Sequence, residues 1–472
     1  MSIGMKRGYI VVLLVGVFVC HLESAWASGH HLKAEKTDSS YVVIVSIDGF
    51  PASALWDPLV PVPVLRQLAS DGVWAEGMRP INPTVTWPNH TSVVTGTASK
   101  KHHLLFNGKV ERSEGGGLPV RLNPRKDKAD LVAVPTLYDV AFENGLKTGE
   151  INWPATRAAG TLHDSFPDVP DNVGNMTPDL QWDLYEAGIL DDMTNFALWQ
   201  HSSPGRDRVW QQSASYLIEY RMPNLLLVHL LNVDSTHHRY GVNTQPGQTA
   251  LALADYHLNE LLKSLETAGI LDQTTLFIIA DHGFVNTPKT LLPNVLLYEA
   301  GYLNLDEERR VTGGQAQVIA TGGFGMIYFE EENPGYEELI GDVKELFSKQ
   351  EGIYKVVDAE DFHEYGLPHP DDTDQAGRLA IFTEPGYGLN SSTENVEVLL
   401  NSEKNNFSIA HHGFLNSFDQ MNALFVAWGR GVEPGGEIGI IDSRSIAPAA
   451  ARLLGLDFSI NSNLIPDGLL KE

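Results

Sequence analysis

Six residues scattered along the chain have side chains of the types that hold divalent cations. They are three aspartates, Asp48, Asp234 and Asp281, and three histidines, His238, His282 and His412. ADHGF at 280–284 is echoed by HHGF at 411–414, and the glycine after each histidine permits a tight turn that brings both imidazoles toward one point. Asp234 and His238 stand four apart, on one face if the segment is helical. One three-ligand zinc site would leave half of the set unused, whereas two adjacent ions with about three protein ligands each take all six. With nitrogen and oxygen donors only, and imidazole at both positions, zinc is favoured over magnesium. His237 and His411 neighbour His238 and His412, and spacing alone leaves them open as alternatives. The chemistry of such a pair is metal-assisted displacement, which needs a nucleophile. NPTVTWPNHT at 82–91 offers two hydroxyls, Thr84 and Thr86, ahead of a proline-started helix.

The elements that must position these residues are legible as apolar runs. Tyr41–Ile47 (YVVIVSI), Leu225–Leu231, Thr275–Ala280 and Ala423–Trp428 read as buried strands. Val64–Ser70, Thr136–Asn144, Arg208–Arg221, Gln248–Ala268 and Tyr336–Gln350 carry helical periodicity. Alternation of all-apolar strands with helices predicts a largely parallel sheet covered on both faces. In such sheets ligands bind beyond the carboxyl ends of the strands. Asp48, Asp234 and Asp281 each follow a strand run at that edge. One aspartate at a strand exit is usually a turn former or cap; three exits carrying ligand-type residues argue for a site. Residues 288–405 are less regular, with strand-like pieces at Gly323–Phe329 and Leu379–Thr383, and read as an inserted cap beside that face.

Composition narrows the function classes. Among 472 residues, 60 are acidic and 33 basic, a formal net charge of −27, so wrapping by nucleic acid is not expected. The N-terminus carries Lys6 and Arg7, an apolar run over Tyr9–Cys20 and Ala25-Trp26-Ala27, which reads as a secretory signal peptide over residues 1–27. Residues 28–472 are then one catalytic domain, with no membrane span after cleavage. The single cysteine, Cys20, lies inside that leader. The mature chain has neither disulfides nor thiolate ligands, which suits a bacterial periplasmic or secreted protein.

The order Asp, Thr-Trp-Pro-Asn-His, Asn, Asp-x-x-x-His, Asp-His-Gly, His-Gly resembles the nucleotide pyrophosphatase/phosphodiesterase family of the alkaline phosphatase superfamily, from about Val42 to Gly429. The resemblance implies an α/β alkaline-phosphatase-like three-layer sandwich, two zinc ions and a threonine nucleophile, which falls on Thr86. Thr84 is then an ordinary turn residue. One zinc would take Asp48, Thr86, Asp281 and His282, and the other Asp234, His238 and His412. The family's substrate-binding asparagine falls on Asn107. Trp87 stands where the family more commonly has phenylalanine and is expected to stack on a nucleobase or leaving-group ring. Trp153-Pro154 is similar to a family Trp-Pro-Gly element lining the nucleotide side, with Ala155 in place of the glycine. The expected activity is hydrolysis of a small phosphate diester or nucleotide pyrophosphate through a phospho-threonine. A phosphomonoesterase or phosphonate hydrolase using the same threonine is the alternative within the fold. A catalytically silent binding protein is the alternative outside it, and the intact ligand set argues against that.

Overall fold

The computed structural model describes residues 40–113, 117–169, 173–191, 202–330 and 335–472. The expected signal peptide lies outside them. Among the described residues no helix is long and apolar enough to cross a membrane.

The run Tyr41–Ile47 is buried at every position and forms a central strand of an eight-stranded sheet. Leu225–Leu230 and Thr274–Ile279 flank it in parallel, with Val42 opposite both Leu225 and Thr275. Beyond Leu225–Leu230 the sheet continues in parallel through Thr148–Pro154 to Asp164–Asp168. These last two strands (TGEINWP and DSFPD) carry Gly, Glu, Asn and Pro instead of an apolar run, so the pattern that reveals the others misses them. On the other side Phe425–Gly429 pairs with Thr274–Ile279 antiparallel. The sequence reading grouped that strand with the parallel ones. It runs the other way because the chain re-enters the sheet at the carboxyl edge, shortly after His412, and must travel away from it.

Helices cover the sheet in two groups. Ser203–Tyr216, Asn232–Tyr240 and Gln245–Ala268 pack together, as do Thr86–Thr95, Leu137–Glu143 and Ile446–Leu453. Leu137–Glu143 starts at a reciprocal cap, in which Thr136 accepts from the Asp139 backbone N–H and Asp139 accepts from that of Thr136. The expected helix at 208–221 is α-helical only to Tyr216, and Leu217–Arg221 continues as one π turn.

A second sheet uses strands between Lys289 and Asn401, within the region expected to form the cap. Its seven strands are mostly antiparallel. One face packs on Tyr336–Ser348 through Leu339, Val343 and Phe347. The other face shares an apolar cluster with the segment around Leu105, Phe106, Val110 and Val120. That segment carries Asn107.

Candidate active site

The carboxyl edge of the parallel sheet gathers the six cation-binding candidates. Asp48 follows the first strand directly, Asp234 lies in the first turn of Asn232–Tyr240, and Asp281-His282 follows Thr274–Ile279. The amino end of Asn232–Tyr240 is held by Asp207, whose carboxylate accepts from the backbone N–H groups of Leu231 and Asn232. His412 arrives from the cap side, after a short strand in which His411 pairs with Val285. Glycine is required after both histidines. A Cβ on Gly283 would lie 2.0 Å from the Gln420 carbonyl, and Gly413 has φ +91° with its neighbour Thr321 carbonyl 2.6 Å from a built Cβ.

Each of the three histidines has its Nδ1 engaged by a backbone carbonyl. His238 meets Ala410 at 2.8 Å, His412 meets Thr84 at 2.9 Å and His282 meets Gly283 at 3.1 Å. Donation from Nδ1 leaves every Nε2 as a lone pair facing the cluster, the arrangement that orients imidazole ligands in metal sites. His238 Nε2 lies 3.4 Å and His412 Nε2 3.7 Å from Asp234 Oδ1. His282 Nε2 lies 3.0 Å from Asp281 Oδ2 and 3.4 Å from Asp48 Oδ1. The same three carboxylate oxygens, Asp48 Oδ1, Asp234 Oδ1 and Asp281 Oδ2, are buried and have no hydrogen-bond donor.

Three buried carboxylates within reach of one another, each with an orphaned oxygen, form a poor core by themselves. Burial, and then the carboxylates of Asp281 and Asp234, push Asp48 well above the usual carboxylate range. Burial, and then His282, push His412 well below 6.5. Divalent cations among the orphaned oxygens and the Nε2 lone pairs would satisfy both sets, and the donors fit them. Among the described residues, two groups have ligand atoms mutually within 4.8 Å: Asp234, His238 and His412, and Asp48, Asp234 and His282. Asp234 therefore stands between the two positions, whereas the resemblance assigns it to one.

Thr86 is the first residue of the helix Thr86–Thr95, and its Oγ1 lies 3.5 Å from His282 Nε2. Asn89 secures the turn before it: its Oδ1 accepts from the Ile81 N–H, and its Nδ2 donates to the Pro83 and Val85 carbonyls. Asn107 Oδ1 accepts from the backbone N–H of Trp87 at 2.9 Å, which leaves its amide NH2 as the free end. Thr84, expected to be incidental, is fully buried and tied to the histidine loop. Its carbonyl accepts from His412 Nδ1 and the Gly413 N–H, and its hydroxyl donates to the Phe414 carbonyl.

The neighbouring histidines sort themselves by contact. His237 points toward Gly247 at the start of the next helix, and His411 lies against Gly388 of the cap sheet. Neither belongs to the close groups that contain His238 and His412.

The two tryptophans expected to meet substrate are both buried. Trp153 is 0 % exposed and packs edge-on against His90 at 4.8 Å, so it presents no surface to a substrate. Trp87 is 4 % exposed, packs with Leu104, Leu131 and Ala155, and donates from Nε1 to Asp168 at 3.0 Å. The indole is large enough to be swallowed by that cluster. Ala155, at the position of the expected glycine, has φ +56°.

Sequence reading missed His229. Its Nε2 lies 3.0 Å from Asp48 Oδ2, and its Nδ1 lies 2.9 Å from the Asn152 carbonyl. The signal was present: an imidazole inside LLLVHLL, where every other residue is apolar, must find buried partners.

The type I phosphodiesterase / nucleotide pyrophosphatase family matches residues 42–415. Rat ectonucleotide pyrophosphatase/phosphodiesterase family member 1 is 23% identical over 429 residues, 89% of this chain and 41% of the relative. The human member 1 is 24% identical over 88% of this chain and 40% of its own length. Venom phosphodiesterase 2 of Crotalus adamanteus is 24% identical over 61% of this chain and 32% of that protein. This chain thus spans well under half the length of these relatives. Among solved structures, murine ectonucleotide pyrophosphatase/phosphodiesterase 5 superimposes with TM-score 0.64 at 18% identity, covering 88% of this chain and 95% of that one. An inactive threonine-to-alanine form of the same murine protein, in complex with AMP, gives TM-score 0.64 over 89% of this chain and 96% of that one. At that identity the likeness shows the fold alone.

Proposed function

The chain belongs to the type I phosphodiesterase / nucleotide pyrophosphatase family, and from that premise we propose that it is an exported hydrolase of phosphodiester or pyrophosphate bonds, acting on nucleotide-type substrates with Thr86 as nucleophile. The observation that carries the reading is the position of Thr86: its hydroxyl stands at a helix start, beside a pocket of orphaned carboxylate oxygens and aligned imidazole lone pairs. Asp48, Asp281 and His282 with Thr86, and Asp234 with His238 and His412, would hold two zinc ions. Bound zinc supplies Lewis acidity that makes a hydroxyl nucleophilic at neutral pH and stabilises charge on a departing oxygen.

Thr86 Oγ forms its bond to phosphorus as the bond from phosphorus to the leaving oxygen breaks, giving a phospho-threonine. Water then attacks the same phosphorus and returns Thr86 as its hydroxyl. The helix Thr86–Thr95 turns its positive end toward the phosphoryl anion; among its first N–H groups that of Trp87 is committed to Asn107 and that of Asn89 to the Val85 carbonyl, and Pro88 has none. Asn107, with its carbonyl oxygen committed to the Trp87 N–H, has its amide NH2 free to donate to a non-bridging oxygen, where charge grows in the transition state.

The engagements of the two arginines expected to reach the site from other loops favour a diester over a monoester dianion. Arg157 is 3.0 Å from Asp127 and donates to the Arg125 carbonyl. Arg239 is exposed and lies over the Tyr240 ring. Neither is placed to meet the extra charge of a monoester. On zinc-loaded enzyme, kcat/KM for bis-p-nitrophenyl phosphate should exceed that for p-nitrophenyl phosphate. The opposite order, abolished by replacing Arg157 or Arg239, would move the protein to the monoesterase branch. The AMP complex of the murine neighbour supports the nucleotide class.

A further inference from the structure

Asn107 sits on a segment with little regular structure of its own: one short hairpin, Lys109–Glu111 with Arg121–Asn123. Two cap glutamines grip this hairpin by the backbone. Gln375 Oε1 accepts from the Val110 N–H at 2.7 Å, and its Nε2 donates to the Val110 carbonyl at 3.1 Å. Gln317 does the same to Val120, at 2.8 and 3.0 Å. Each side-chain amide thus copies the donor–acceptor pair that a neighbouring strand residue would supply. Both glutamines are nearly buried, at 7 % and 6 % exposure. Tyr328 ties them together, since it pairs with Gln317 across the cap sheet and its hydroxyl donates to the Gln375 carbonyl. Val110 is three residues after Asn107, and the ring of Phe106, the residue just before Asn107, rests on Phe324 of the same sheet, centroids 5.5 Å apart.

We propose that Gln375 and Gln317 are positioning residues, through which the cap sets the placement of Asn107 over the nucleophile. The inference rests on the reading of Asn107 as the donor to the transferring phosphoryl group. Without the Gln375 amide, the buried N–H and carbonyl of Val110 lose their partners, and the segment between Phe106 and Val110 relaxes to recover them. A donor displaced by a fraction of an ångström still permits substrate binding but serves the transition state less well. The metal ligands are untouched, because none lies on this segment.

The test is a double-mutant cycle on the zinc-loaded full chain, with bis-p-nitrophenyl phosphate as substrate. Asn107→Ala is expected to lower kcat by about 100-fold. Gln375→Ala should lower kcat about tenfold, with KM and zinc content unchanged. In the Asn107→Ala background the same substitution should cost less than about twofold, since the group it positions is gone. Gln375→Glu keeps the acceptor for the Val110 N–H and should fall between native and Gln375→Ala; it carries the same cycle if Gln375→Ala does not fold. An equal loss in both backgrounds, or no loss in the native one, overturns the inference while leaving the role of Asn107 standing. If Asn107→Ala itself leaves kcat unchanged, the reading of Asn107 fails and the inference falls with it.

Discussion

The active-site face is assembled from two regions that are held together in opposite ways. At the edge of the parallel sheet, Asp48, Asp234 and Asp281 are fixed by strand exits and a helix turn, yet each keeps a buried oxygen with no donor. Under the cap, the Asn107 segment has the reverse character: the backbone groups of Val110 and Val120 are paired, and Asn107 Oδ1 has its own donor. The first region is complete only with cations, the second without any ligand. An unsatisfied buried group in a rigid frame marks where something binds, and a satisfied one marks what does the holding.

The strongest way to break this contrast is to separate metal binding from turnover. If the proposed function holds, Thr86→Ala should lower kcat by at least about 1,000-fold while most of the bound zinc and the fold remain, because the hydroxyl would supply the covalent step and the other ligands would keep the ions. Asp234→Ala should lose turnover equally but also bring zinc below about two ions per chain, since Asp234 belongs to both groups. Elemental analysis and kinetics on the two variants give the comparison. Full zinc occupancy in Asp234→Ala, or active native enzyme holding a single metal, would sink the two-site arrangement.

How far the sequence revealed each region follows from the same difference. Strands buried on both faces must be apolar throughout, so YVVIVSI and LLLVHLL announce themselves, and the ligands at their ends can be counted. Thr148–Pro154 hides because its Glu150 and Asn152 are buried with specific partners, which no hydropathy pattern encodes. His238 and His412 are distinguishable from His237 and His411 only by direction: the backbone carbonyls that orient their Nδ1 atoms come from Ala410 and Thr84, far away in the chain. The same holds for Trp87 and Trp153, whose burial depends on the elements packed over them. Residue type gathered the candidates, and tertiary contacts decided which neighbour faces the cluster.

The sheet region contains one more carboxylate without a counter-charge, and it sharpens the contrast through pH. Glu150 is fully buried; it accepts from the Trp153 N–H and the Ser165 hydroxyl, and burial pushes its pKa from 4.5 up to about 7. A raised folded-state pKa means that its contribution to stability is fully present below pH 4.5 and is lost as pH rises through about 7. Glu150→Gln has no such titration. The stability of this variant relative to native should therefore improve by roughly 3 kcal/mol between pH 4 and pH 8. Denaturant melts at the two pH values measure it, and a constant difference would show that the native carboxyl does not titrate in this window.

The smallest expected effect concerns the other threonine of the motif. Thr84 and Thr86 are two residues apart, both buried, yet one hydroxyl is committed and the other is not. Thr84 Oγ1 donates to the Phe414 carbonyl at 2.8 Å, whereas the contact found for Thr86 Oγ1 is a long one, 3.5 Å to His282. What Thr84 gives to the site is its backbone carbonyl, which receives His412 Nδ1 and the Gly413 N–H, and no side-chain substitution removes that. Thr84→Val keeps the β-branched shape and deletes only the hydroxyl. It leaves one buried carbonyl short of a donor, a loss of about 1 kcal/mol in stability. Turnover should stay within about twofold of native, with zinc content unchanged. Loss of turnover in Thr84→Val, alongside retained activity in Thr86→Ala, would show that the committed hydroxyl is the nucleophile and that the free one is structural, reversing the assignment on which the two-region contrast rests.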